Sequence, residues 1–196
     1  WNYNKLGINL SYEQARDKIK EVVKALKAQD STRPVSTVYG EVPGAETYAL
    51  LSDVDLWGLN VYRGPSFGDL FEKWKALSDK PMYLGEYGSD AYNGVTGKVD
   101  ETMQSDIVKS LTEEIYANTS VDGTGICVGG TVFSFADEWW KFGGGDWGVH
   151  DTQASWQNGA YEDPNMNEEW WGLVDVNRKL RKAFTTYSQL LPPVAD

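Results

Sequence analysis

Glu86 closes the run Pro81-Met82-Tyr83-Leu84-Gly85-Glu86-Tyr87-Gly88, which reads as a buried β-strand that delivers one carboxylate at its end. In a strict two-residue pleat Met82 and Leu84 share a face with Glu86, and Gly85 and Gly88 keep the backbone around the acid free of bulk. An isolated ionised carboxylate is costly to bury. The spacing leaves two readings open: a core carboxylate held by an Arg or Tyr, or a group that does chemistry. Acids and aromatics recur at the ends of the other apolar runs. Tyr39 and Glu41 follow the first, Asn60 and Tyr62 close Asp55-Leu56-Trp57-Gly58-Leu59-Asn60-Val61-Tyr62, and Asp137-Glu138-Trp139-Trp140 follows the longest. Carboxylates framed by Tyr and Trp suit glycosidic bond cleavage, in which one carboxylate attacks the anomeric carbon and a second protonates the leaving oxygen.

The elements between these runs are helical. Ser11 followed by Gln14 forms a capping box, and Ala15, Ile19, Val22, Val23 and Leu26 keep helical spacing over 11–29. After that helix the chain divides into βα units at about 34–52, 54–78, 81–118 and 125–191, with helices predicted over 45–51, 66–78, 100–117 and 176–191. A long Gly-, Trp- and Asn-rich loop spans 141–175, a length usually associated with function. Strands each followed by a helix imply parallel βα units. Two α/β architectures fit: an open doubly wound sheet, or part of an eightfold barrel, whose full length is about 250 residues. In both, ligands sit at the C-terminal ends of strands, where the acids and aromatics lie. No Gly-rich phosphate fingerprint follows any strand, which argues against a nucleotide-binding sheet.

The 196 residues suit one domain. A net charge of −11 repels nucleic-acid phosphates and anionic membranes and favours a neutral ligand. Nine Trp and eleven Tyr exceed what a core of this size needs, and flat amphipathic rings suit sugar faces. No run reaches the roughly 20 apolar residues of a membrane helix. The lone Cys127, in an apolar run, excludes an internal disulfide and a cysteine-ligated zinc site, and nothing calls for a metal or cofactor. The sequon Asn118-Thr119-Ser120 is compatible with secretion but leaves the compartment open.

The segment Lys80 to Gly88 resembles the seventh-strand nucleophile motif of clan A retaining glycoside hydrolases. Val54 to Arg63 is similar to their sixth strand, Gly129 to Trp140 to their eighth, and Glu168-Glu169-Trp170-Trp171-Gly172-Leu173-Val174-Asp175 to the segment after it. The closest resemblance is to the barrel domains of family 2 glycosidases and related β-glucan-active enzymes, glucanosyltransferases included. It implies the C-terminal half, strands five to eight, of a (β/α)8 barrel. It makes Glu86 the nucleophile and Tyr62 the residue that orients it, with Asn60 beside them. Trp139 or Trp140 would floor the sugar site, Asp137 and Glu138 would bind hydroxyls or brace a loop, and Tyr39, Glu41 and Tyr87 would line neighbouring positions. His150, the single His, is expected to be structural or exposed more often than substrate-binding.

In the family the acid/base is a Glu following an Asn at the fourth strand's end, before a Trp- and Asn-containing segment. The opening Trp1-Asn2-Tyr3-Asn4 resembles that following segment, which places the acid/base just before residue 1. Half a barrel exposes sheet edges, so pairing with an N-terminal half or self-association is expected. The implied activity is retaining hydrolysis of β-linked neutral oligo- or polysaccharides. The rival readings are transglycosylation and carbohydrate binding without cleavage. An open-sheet hydrolase lacks a Gly-x-Ser-x-Gly elbow.

Overall fold

The computed structural model describes residues 1–121, 125–141, 147–154 and 156–192. Helix α1 (Tyr12–Gln29) starts where the capping box places it: the Gln14 amide donates to Ser11 Oγ and the Ser11 amide to Gln14 Oε1. There follow β1 (Ser36–Gly40), α2 (Ala45–Leu50), β2 (Leu56–Asn60), α3 (Leu70–Leu77) and β3 (Met82–Tyr87). A two-residue antiparallel pair, β4 (Tyr92–Asn93) and β5 (Lys98–Val99), precedes α4 (Glu101–Ala117), β6 (Cys127–Val132) and α5 (Lys182–Gln189).

The main sheet runs β1-β2-β3-β6 with every pair parallel. Strand order that follows chain order throughout, without a reversal, is that of consecutive barrel strands; a doubly wound sheet reverses at its switch point. The fold is thus part of a (β/α)8 barrel. One sheet face packs on helices: Trp57 and Leu59 of β2, Met82, Leu84 and Tyr87 of β3, Trp74 of α3 and Leu111 and Ile115 of α4 are all buried. The other face carries Val38, Gly58, Asn60 and Gly85 and turns toward the barrel interior. No helix among the described residues is long and apolar enough to cross a membrane.

Three elements are shorter than the patterns predict. Helix α3 begins at Leu70 rather than 66, because Ser66 Oγ accepts the Gly68 amide and Gly68 takes φ +60°. Helix α5 begins at Lys182 rather than 176. The Asp175 carboxylate accepts the Asn177 and Lys179 amides, and Arg178 turns into the left-handed region at φ +63°. Strand β6 stops at Val132, after which the chain leaves the ladder and the Ser134 amide bonds to the Trp171 carbonyl.

Where β3 meets the 165–171 segment, Asp90 is almost fully buried and accepts the Asn167 amide at 2.6 Å. Burial, with smaller contributions from the Asp163 and Asp151 charges, outweighs that hydrogen bond and pushes its carboxyl up to about 8. Between the ordinary value of 3.8 and 8, the folded state keeps a proton that the unfolded chain has lost. This contribution is fully present below about pH 4 and lost as pH rises through 8. The urea midpoint is expected to fall between pH 5 and 8.5 by an amount equivalent to a few kcal/mol, and Asp90→Asn to flatten that slope. Parallel slopes in the two proteins would refute the assignment.

Candidate active site

The site depends on one extra residue in β3. Leu59 pairs with Leu84, yet the next residue of β2, Asn60, pairs with Glu86, so Gly85 is inserted as a β-bulge. The insertion reverses the pleat beyond it. Glu86 joins Asn60 on the barrel-interior face, opposite Met82 and Leu84, correcting the face expected from strict alternation. Tyr87 moves the other way and is buried against α4, its hydroxyl bonded to Thr112 at 2.9 Å.

Glycine suits the bulge because a larger residue would press on the side chains beside it. A Cβ at position 85 would lie 2.6 Å from Asn60 Oδ1 and 3.2 Å from a Val38 methyl. The Gly85 carbonyl is held by the Thr131 hydroxyl of β6 at 2.6 Å. Thr131→Val removes that donor. It is expected to cost about 1 kcal/mol of stability and to slow any reaction at Glu86, with Thr131→Ser restoring both. Wild-type unfolding free energy and unchanged turnover in Thr131→Val would contradict this.

Tyr62, two residues past β2, donates its hydroxyl to Glu86 Oε2 at 2.8 Å. Burial first, then the Glu86 charge and this hydrogen bond, pushes the phenol far above its ordinary range, so it remains a donor. Its ring is fixed edge-on by Trp171, Phe133 and Trp156 at centroid separations of 5.1, 6.5 and 6.4 Å. No described residue donates to the second Glu86 oxygen, which faces a cavity of about 1220 Å³.

Both cations on the cavity wall are engaged. Arg63 grips Glu41 through Nε at 2.8 Å and through Nη2, and Nη1 bonds to Asp69 at 3.0 Å and to the Phe67 carbonyl at 2.9 Å. Glu41 holds φ +68°, an uncommon conformation for a residue with a side chain. The hydrogen bond to Glu41, set against partial burial, raises the Arg63 pKa further. Lys141 lies 2.9 Å from Glu138 and 3.1 Å from Glu168, and Glu168 also accepts the Trp156 indole N–H at 2.8 Å. Burial pulls the Lys141 ammonium down, but these two carboxylates outweigh it and hold its pKa above the usual lysine value.

Of the residues named from sequence, Glu86, Tyr62, Asn60 and Glu41 meet at this cavity. The others are elsewhere. Tyr39 lies on the helix-facing side of β1, bonded to the Tyr12 hydroxyl at 2.9 Å, and Tyr87 is in the core. The Asp137 side chain is fully buried, paired with both Arg181 Nη atoms, 3.0 Å from His150 Nε2 and accepting the Gly172 amide. It is a structural hub without a free oxygen for a ligand, and His150, which packs on Trp170, belongs to it. Glu138 stands behind Lys141. Trp139 and Trp140 are exposed, contact each other at 6.1 Å and lie outside the cavity lining; with β6 ended at Val132, the aromatic wall is built by Phe133 and Trp171. Sequence reasoning left the roles of Arg63, Phe133, Lys141 and Trp156 unassigned.

The model of the TIM barrel domain of glycosyl hydrolases family 2 matches residues 8–192, and the chain belongs to that family. Solved structures share the fold at low identity. A β-D-glucuronidase from Dictyoglomus thermophilum aligns with TM-score 0.56 and 20% identity, covering 93% of this chain and 30% of that one. A GH2 β-galacturonidase from Eisenbergiella tayi gives 0.57 and 19%, covering 95% and 32%. A β-glucuronidase from Bifidobacterium dentium gives 0.56 and 19%, covering 94% and 28%. The chain therefore spans about a third of the length of these structures. Among curated proteins none matches the chain.

Proposed function

We propose that this chain carries the nucleophile half of a retaining glycoside hydrolase site for β-linked neutral glycans. The observation that supports it most directly is the pose of Glu86: one oxygen fixed by Tyr62, the other facing the cavity without a partner among the described residues. In the proposed double displacement the free oxygen attacks the anomeric carbon as the glycosidic bond breaks and a second carboxylic acid protonates the leaving oxygen. That acid, now a base, takes a proton from water. The resulting hydroxide displaces Glu86 and regenerates both groups.

An activated 2-deoxy-2-fluoro-β-glycosyl fluoride tests the nucleophile by itself, because fluoride needs no proton to leave. Mass spectrometry is expected to find a covalent adduct on the peptide containing Glu86. An adduct on another residue, or none at all, would overturn the reading in favour of binding without cleavage.

A further inference from the structure

The cavity carries two cations, and the structure occupies both. Among the described residues its wall presents four carboxylates, Glu41, Asp69, Glu86 and Glu168, against Arg63 and Lys141. A sugar carboxylate is held most strongly by a cation with free donors aimed at it, as in the bidentate pairing of a guanidinium with a carboxylate. Arg63 instead directs its Nε and Nη2 fork at Glu41 and its Nη1 at Asp69 and the Phe67 carbonyl. Lys141 is held between Glu138 and Glu168.

We infer that Glu41 and Glu168 are specificity-determining residues that mask Arg63 and Lys141, so that the cavity admits an uncharged or amino-bearing glycosyl unit and rejects a uronate. The inference rests on the proposed glycosidase reading and adds the charge class of the sugar. It also separates this chain from the fold neighbours named for glucuronides and galacturonides. A uronate entering the cavity would bring a fifth negative charge among the four that the described residues present and find no unpaired donor cation among those residues, and like charges brought together at close range are strongly disfavoured. Removing the charge of Glu41 leaves Asp69 as the one carboxylate paired with Arg63 among the described residues; removing that of Glu168 leaves Glu138 as the one paired with Lys141. Each change exposes a cation to the cavity without altering the fold's apolar contacts.

The test compares binding of matched 4-nitrophenyl β-glycosides to the protein at neutral pH and low salt: glucoside against glucuronide, and galactoside against galacturonide. Wild-type protein is expected to favour the neutral member of a pair by at least about tenfold. Glu41→Gln and Glu168→Gln are each expected to shift that ratio toward the uronide by about tenfold, an effect that shrinks as salt is raised. A purely structural role would weaken both members alike and leave the ratio unchanged. Two substitutions on opposite cations keep the test usable if one fails to fold. Equal or tighter uronide binding by the wild type, or an unmoved ratio in a folded variant, overturns the inference while leaving the Glu86 adduct intact. Failure to bind any glycoside, with no adduct, overturns the glycosidase reading and this inference together.

Discussion

Glu86→Gln is expected to abolish the fluoroglycoside adduct and, on the proposed glycosidase reading, to lower turnover by at least about 10³-fold, a barrier increase of roughly 4 kcal/mol. The amide keeps the size of the carboxylate and can still accept from Tyr62, so the fold should be retained. What it loses is the negative charge and the nucleophilic oxygen, which act on the oxocarbenium-like transition state rather than on the bound sugar. Ground-state binding of a neutral glycoside should therefore change little, and the loss should appear in kcat more than in KM. Tyr62→Phe gives a graded contrast. It removes one hydrogen bond to a charged acceptor, worth about 1.5–3 kcal/mol, and leaves the nucleophile present but less well aimed. Turnover by Glu86→Gln close to wild type, in protein shown to be folded, would move the chemistry to another residue.

The residues that carry this prediction were only partly legible in the sequence. Strand β3 and its carboxylate could be read from apolar spacing, and α1 from its capping box, because those signals lie within a few residues of one another. The face on which Glu86 sits could not. Period-two alternation puts Glu86 with Met82 and Leu84 and sends Tyr87 inward, and the inserted Gly85 reverses both. A glycine inside a strand was the only sign of the bulge. The aromatic wall was displaced for a similar reason. The run 126–136 looks like one long strand, whereas the ladder ends at Val132 and Phe133 reaches the cavity before Trp139 or Trp140. The pairing of Arg63 with Glu41 was not legible. Arg63 lies 22 residues from Glu41, and no periodicity within either element links them.

Arg181→Met is expected to destabilise the protein by about 3–5 kcal/mol, the cost of leaving a buried carboxylate without its counter-ion. The Asp137 side chain has no exposure and that of Arg181 only 5%, so each depends on the other to offset its desolvation. Around them the Gly172 amide and His150 complete Asp137, while Arg181 also donates to the Gly172 carbonyl at 2.8 Å and lies over the Trp170 ring. The pair clamps the chain beyond β6 to the 170–174 segment, which carries Trp171 to the cavity behind Glu168. Loss of the clamp should therefore loosen the wall against Tyr62 as well as lower the urea midpoint. Replacing both partners, in Asp137→Leu with Arg181→Met, removes the orphaned charge along with its counter-ion. The double variant is expected to be more stable than Arg181→Met alone, a non-additivity that a double-mutant cycle measures directly. A loss below about 1 kcal/mol for Arg181→Met would show that water reaches Asp137 and that the segment is held by its backbone bonds instead. A total stability of about 5–15 kcal/mol is usual for a domain, so the expected loss is large enough to decide whether Trp171 stays beside Tyr62 at working temperature.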